Sequence, residues 1–331
     1  MGRVFSPLDE QLQTLGGWSE TVVEQILWVA QATSSYREAA EAMERLAGIA
    51  VSKSTIHRQV AKYGKVLVEK GQQEAQEMWE SGVTAEPREE VREEVGISLD
   101  GVKVWVDGGW HEVKVGCCFD FGPGEQGEVK AKGISYVGWY GEVEEFRMRM
   151  WWHAYHHGMG LDGKGVVVGD GATWIDGFVQ TYCPDGVRIV DWYHAMEHLW
   201  ALGREAYGDE GASEWVKKVE EKLWAGEVEE VVLACEQVLR ERQEWSEAAQ
   251  RVPGYFHERA EQMRYPTFRA AGYPIGSGTV ESECKGLGWR CKGRGQRWKE
   301  EGLQAIIALR SAGMSGSKEW KWAWEQMTMA A

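Results

Sequence analysis

Apolar and polar positions follow two different periods along the chain, and the change falls near residue 96. Before it the spacing is helical. Val22, Ile26 and Val29 share one face of a first helix that Ser19 can cap. Ser35 opens a second helix as a capping box with Glu38, puts Ala39, Met43 and Leu46 on one side and reaches Gly48. A third begins within 51–60, with Lys53, His57 and Arg58 near its start. Three short helices, the last opening with Ser, Thr and basic residues, match a helix-turn-helix reader of DNA, and also a bundle that merely packs or dimerises. The stretch 71–95 holds eight glutamates against two arginines and reads as a solvated helix running into a linker broken at Pro87.

Beyond residue 96 the period becomes that of strands. Segments 96–104, 112–119 and 129–139 are separated by glycine-rich turns at Gly108-Gly109 and Gly122-Pro-Gly124. A helix over 142–157 precedes a short apolar strand at 165–171, a helix at 174–182 and a second apolar strand at 187–191, both of the kind buried in a parallel sheet. Helical sequence continues to about residue 250, and a last helix starts near Ser277. This order predicts an α/β fold: an RNase H-like mixed sheet with a helical insertion, preceded by an all-α helix-turn-helix domain. The boundaries are 1–70 for that domain, 71–95 for the acidic helix and linker, 96–198 for the first part of the core, 199–267 for the insertion, 268–313 for the last part of the core, and 314–331 for a tail.

Composition narrows the class. With 331 residues, 43% hydrophobic and 27% charged, the chain has the profile of a globular protein, and no apolar run reaches membrane-spanning length. Residues 1–13 lack the features of a secretory signal. Six cysteines without a C-x-x-C pair fit a reducing cytoplasm better than a disulfide framework or zinc ribbon. The net charge of −15 argues against a protein that coats DNA, yet six basic residues and no acidic one lie between Cys284 and Lys299. Screening over about 8 Å lets an acidic body carry such a basic patch.

The acids supply the candidate chemistry. Asp100, before Gly101 in the first strand, and Asp170, between Gly169 and Gly171 after the fourth, meet at one sheet edge if those strands are parallel neighbours. Converging carboxylates call for cations, and their oxygens suit Mg²⁺ or Mn²⁺; two such ions serve phosphoryl transfer. Glu281, one turn into the last helix, completes the set. Lys285 shares its face, Glu283 turns to the opposite side, and the helix start offers backbone amides to a phosphate.

Those residues also resemble a known family. Ser98-Leu-Asp-Gly101, Gly169-Asp-Gly-Ala-Thr-Trp-Ile175, Asp191-Trp-Tyr-His194 and Gly276-Ser-Gly-Thr-Val-Glu281, with the 289–298 segment and Ala305-Ile-Ile-Ala-Leu-Arg310, are similar to bacterial insertion-sequence transposases of the Kra type, a DDE family. The likeness runs from about Phe5 to about Ser311. It implies that Asp100, Asp170 and Glu281 bind metal and catalyse metal-dependent cleavage and transfer of DNA strands at element ends. It also implies a helical insertion before the glutamate, and a D-x-x-H signature at Asp191 and His194. His194 would contact phosphate or support the metal ligands, whereas the plain alternative for Asp191 is a helix cap. Relatives commonly carry a cysteine-rich zinc segment before the helix-turn-helix; this sequence has none there, which suggests a truncated or reduced form.

The DNA contacts expected are Lys53, His57 and Arg58 from the helix-turn-helix and Lys285, Trp289, Arg290, Lys292, Arg294, Arg297 and Trp298 from the basic segment, where aromatic and arginine side chains suit an unpaired DNA end. Most of the 19 tryptophans read as packing residues. His153, His156 and His157 lack the partners of a tetrahedral metal site and suit a surface or sheet-facing role, while His194, Glu197 and His198 resemble an H-x-x-E-H zinc pattern only in outline. The expected partners are element-end and target DNA and a homodimer or larger assembly on that DNA, in a cytoplasmic, nucleoid-associated setting. The rival reading is a domesticated or truncated derivative that binds DNA without transposing it. A glycoside hydrolase would need two carboxyls across an open aromatic groove rather than three acids beside a basic helix.

Overall fold

The computed structural model describes residues 14–15, 17–82, 85–124, 129–242, 244–293 and 296–329, and for residues 14, 15 and 279–283 the backbone alone. Residues 1–13 and Arg294 thus lie outside the described residues.

A two-residue pairing of Thr14–Leu15 with Trp18–Ser19 leads into α1 (Glu20–Ala32), α2 (Tyr36–Ala47) and α3 (Lys53–Ser81). The expected caps form: the Ser19 hydroxyl accepts the Val22 amide at 3.4 Å and the Ser35 hydroxyl that of Glu38 at 3.2 Å. The return bond of the capping box is displaced by one residue, since the Glu38 carboxylate takes the Ser34 amide and hydroxyl instead of Ser35. Gly48 ends α2 in the left-handed region at φ 66°. α3 departs from expectation. It runs 29 residues, well into the acidic stretch, because Leu67, Gly71, Ala75 and Met78 continue a buried stripe at helical spacing beneath the glutamates.

The sheet consists of β1 (Val95–Val106), β2 (Gly109–Pro123), β3 (Val129–Trp139), β4 (Gly165–Gly169) and β5 (Val187–Val190), in the spatial order β3-β2-β1-β4-β5. The first three strands form an antiparallel meander, and β4 and β5 add in parallel beyond β1. The β1–β2 turn is tighter than the spacing suggests: Asp107 and Gly108 alone make it, both at positive φ, as two-residue hairpins require.

Helices cover both faces. α4 (Val143–His156) and α5 (Thr173–Tyr182) bury Ile97, Leu99 and Val167 under Phe146, Met150, Ile175 and Phe178. On the other face, α6 (Trp192–Trp224, kinked at Gly208), α7 (Val228–Arg240), α8 (Glu247–Glu258) and α9 (Tyr265–Ala270) share a core with Val166, Val168, Ile189 and Val190. Next to it, α10 (Gly278–Cys291), α11 (Glu300–Met314) and α12 (Ser317–Met329) share a core with β1 and β2. The chain is therefore an α/β protein built on a mixed five-stranded sheet. Among the described residues, no helix is long and apolar enough to cross a membrane.

Two boundaries differ from the sequence reading. α1–α3 have no separate core, because Val23, Ile26, Met43, Ile56 and Val60 belong to the same cluster as Val104, Val113, Leu303 and Ile306. The segment read as a tail forms α12, with Trp320, Ala323 and Met327 buried at helical spacing.

α11 wedges between α3 and the sheet, and Gly64 sets how close it comes. A Cβ there would meet Ala305 Cβ at 2.6 Å and the Ala305 carbonyl oxygen at 2.8 Å. Backbone cannot yield as a flexible side chain would. Gly64→Val is expected to cost roughly 1–3 kcal/mol of stability despite replacing a helical glycine, read from the urea midpoint.

Of the three histidines, His153 and His157 face the sheet, while His156 packs half-buried beside Trp152 and Tyr155. On β3 the Ser135 hydroxyl bonds His153 Nε2 and His157 Nδ1, each at 2.8 Å, so it donates to one ring and accepts from the other. Burial pushes His157 down from 6.5 to about 4, with Asp120 opposing that shift. Between those values the unfolded chain binds the proton and the native chain does not. Stability should thus fall as pH drops from about 6.5 to about 4, by roughly 1.4 kcal/mol per pH unit from this residue. Urea unfolding at pH 7.5 and pH 5 should show a smaller loss in His157→Gln than in the native sequence; equal losses would remove His157 as the cause.

Candidate active site

Strand register assembles the cleft. Ser98 on β1 pairs with Val168 on β4, which pairs with Ile189 on β5. Two residues beyond each of these stand Asp100, Asp170 and Asp191. Side chains alternate along a strand, so all three acids leave the sheet edge toward the face occupied by Val168 and Ile189. They line one cleft of about 400 Å³ with Tyr193, His194 and Ser277. Gly169 makes the approach possible, since a Cβ there would lie 2.7 Å from the Leu99 carbonyl oxygen.

Asp100 accepts the Gly101 amide on Oδ1 at 2.7 Å and the Cys284 thiol of α10 on Oδ2 at 3.1 Å. Burial raises its pKa, and the Asp170 charge adds to this, while the thiol, the amide and His194 oppose it. Asp170 Oδ1 accepts the Ala172 amide at 2.9 Å. Its loop is clamped from two sides: Arg188 of β5 donates to the Asp170 carbonyl, and Arg259 of α8 donates to the Gly171 carbonyl from Nε at 3.0 Å and Nη2 at 2.6 Å. Burial lowers the pKa of Arg188, and Asp176, 3.2 Å away, offsets part of that shift.

Asp191 spends both oxygens on backbone. Oδ1 accepts the His194 amide at 2.7 Å and caps α6, while Oδ2 accepts the Ser277 amide where α10 begins. The cap reading therefore holds, and the same carboxylate anchors the neighbouring helix. One of the amides expected to face a phosphate is already taken. His194 pairs through Nδ1 with Glu197 at 3.3 Å. His198 turns away onto the Tyr255 ring, 4.0 Å between centroids, and burial pushes it down to about 4. The outline of a zinc motif thus separates into a pair and a stacked ring.

Glu281 stands on α10, three residues before Cys284 and hence one turn earlier on the same helical stripe; its side chain lies outside the described residues. Among the described residues, no group of three or more His, Cys, Asp or Glu side chains is arranged to hold a metal ion. Asp100 and Asp170 nevertheless suit a hard divalent cation. Each oxygen carries two lone pairs, so one accepted hydrogen bond leaves room for a ligand bond.

The basic candidates divide. Lys53, His57, Arg58, Lys285, Lys292 and Arg297 are exposed, Trp289 is half-exposed, and Trp298 is half-buried with its indole N–H given to the Cys291 carbonyl at 3.0 Å. Arg290 corrects the expectation of an open DNA contact. It is 1% exposed, donates to the Ala30 and Ser34 carbonyls, and stacks on Tyr36 and Trp298. It is a strut joining α10 to the α1–α2 turn. Cys284, Arg188 and Arg259 were not singled out in the sequence. The i+3 spacing from Glu281 could have found Cys284, whereas nothing local marks an arginine within a helical insertion.

Compared with models of known protein families the chain gives no match, and it matches none of the curated proteins.

Asp191 is the joint most open to test. Asp191→Ala removes a helix cap and leaves the Ser277 amide unpaired, so a loss of roughly 2 kcal/mol or more is expected, with Asp191→Asn losing less. Equal stability of the three proteins in urea would mean that Asp191 holds neither helix.

Proposed function

We propose that the protein is a DDE-type DNA transposase with an RNase H-like core, which cuts and joins DNA strands at the ends of an insertion sequence. The observation that carries this reading is the shared cleft of Asp100 and Asp170, with the helix bearing Glu281 held against Asp100 through Cys284. Three further features support it. The order β3-β2-β1-β4-β5, with three antiparallel strands followed by two parallel ones, is the order such a core requires. The helices from α6 to α9 come between β5 and α10, where the resemblance expects an insertion. The four motifs that carry the resemblance fall on β1, the end of β4, the start of α6 and the start of α10, around one opening.

In this reading Asp100, Asp170 and Glu281 hold two Mg²⁺ or Mn²⁺ ions. When bound, such a pair supplies activation of the attacking oxygen and stabilisation of the leaving one. The chain does the rest. Arg188 and Arg259 fix the Asp170 loop, Asp191 fixes the start of α10, and His194 stands at the cleft beside Glu197. Lys53, Arg58, Lys285, Lys292 and Arg297 supply exposed positive charge for DNA phosphates, and His57 offers ring nitrogens as hydrogen-bonding groups. Joining two ends to one target calls for a dimer or larger assembly on DNA, which would place the protein with the nucleoid.

Asp170→Ala should reduce Mg²⁺- or Mn²⁺-dependent cleavage of duplexes taken from the DNA flanking the gene by on the order of 10²–10³-fold or more. Equal cleavage by both proteins would reject the assignment. A second reading, a derived protein that binds DNA without transposing, is favoured by one contact: the Cys284 thiol holds Asp100 Oδ2, an oxygen an ion would use. Mn²⁺ titration separates the two, because only the enzyme should bind the ion in a manner that Asp170→Ala abolishes.

A further inference from the structure

A second concavity lies apart from the acidic cleft, where the helix-turn-helix meets the loop before α11. It measures about 470 Å³, and Tyr36, His57, Arg290, Gln296, Arg297 and Trp298 are among its walls. The Tyr36 ring meets His57 edge-on at 5.6 Å and Trp298 edge-on at 6.4 Å. Arg290 supports the inner wall, 4.8 Å from the Tyr36 ring centre and 5.3 Å from that of Trp298. Within that wall the Arg290 guanidinium lies beside the Tyr36 hydroxyl and works against the rise in its pKa that burial causes. His57 and Arg297 are exposed at the rim, where Lys299 is already paired with Asp107 at 2.9 Å and Glu301 is the one carboxylate among the described lining residues.

We propose that this groove receives one unpaired nucleotide of the DNA, with its base among the rings of Tyr36, His57 and Trp298 and its phosphate at Arg297. The inference rests on the reading of DNA as substrate given above. Every base offers a π-face to aromatic walls, and its phosphate suits the exposed guanidinium of Arg297. A paired base inside a duplex cannot enter between two walls, so the nucleotide must be frayed or single-stranded. An aliphatic peptide would leave the aromatic faces unstacked and the rim guanidinium of Arg297 unused. The position has a consequence for the chemistry. The groove is shared by α2, α3 and the segment after α10, so a strand end held there is gripped by the helix-turn-helix and by the segment that follows the helix of Glu281 at once.

The test compares two DNA duplexes in buffer without divalent metal, one blunt and one with a three-nucleotide overhang carrying 2-aminopurine at each position in turn. The overhang should bind roughly ten-fold more tightly than the blunt end, and 2-aminopurine fluorescence should be quenched at one overhang position. His57→Ala, at an exposed site where folding is not at stake, and Tyr36→Leu, checked by its melting curve, should each reduce the overhang-to-blunt ratio several-fold and relieve the quenching. Equal binding of the two duplexes by the native protein, or quenching that survives both substitutions, would overturn the groove while leaving the enzyme reading intact. Failure to bind either duplex would overturn both.

Discussion

The parallel pairing of β1 with β4 and of β4 with β5 governs every other feature of the cleft. It brings three carboxylates to the ends of adjacent strands, whose spacing is about 4.8 Å. Two ionised carboxylates about 5 Å apart at an effective dielectric near 20 repel by roughly 3 kcal/mol. The sheet cannot relieve this by slipping, because a shift of one residue would turn Val166, Val168 and Ile189 out of the core beneath α6–α9. Hydrophobic burial therefore holds the acids in place against their own repulsion. Burial raises the pKa of Asp100, and the charge of Asp170 adds a smaller part. An arrangement of this kind gains most from a small multivalent cation, which is the physical basis for the metal in the proposed function.

Three contacts fix the helix that faces those acids. α10 is held at its start by Asp191 on the Ser277 amide, in the middle by Cys284 on Asp100, and near its end by Arg290 on the Ala30 and Ser34 carbonyls. The last of these reaches the turn between α1 and α2, so α1–α3 and the acidic cleft are joined by one helix. Arg259, at the end of α8, makes the matching connection from α6–α9, gripping the loop of Asp170. Both flanking helical regions thus bear on the position of a carboxylate without contributing one.

Sequence patterning made the sheet and its acids readable because the signals are local. Alternation marks β1–β3, short apolar runs mark β4 and β5, and an aspartate beside glycine stands within β1, where its pairing with β4 ends, and just after β4. The caps at Ser19 and Ser35 depend on neighbours three residues away and were legible for the same reason. What escaped notice is set by tertiary packing. The glutamates along α3 disguised a stripe made partly of Gly71 and Ala75, which have too little apolar surface to stand out. Arg290 looks like a DNA contact among its basic neighbours, and only the arrival of the α1–α2 turn above it makes it a buried strut. His153 and His157 were readable only as surface or sheet-facing, and the serine across the sheet that satisfies a nitrogen on each ring decides for the sheet.

The overall charge of −15 is no obstacle to a DNA substrate once its distribution is considered. Glutamates and lysines offset each other locally along the outer helices, as in the Lys65–Glu69, Lys218–Glu214 and Arg240–Glu236 pairs, and such exposed pairs contribute little field beyond the screening length. The exposed cations Lys53 and Arg58 at the start of α3, and Arg297 in the loop before α11, belong to one neighbourhood because His57 of α3 and Arg297 line the same groove. Repulsion from the acidic body falls away over about 8 Å, whereas a phosphate at the groove lies within direct contact of its cations. In the proposed function, global acidity would then act as a filter, weakening indiscriminate binding along a duplex and leaving affinity to a site where charge and aromatic surface coincide.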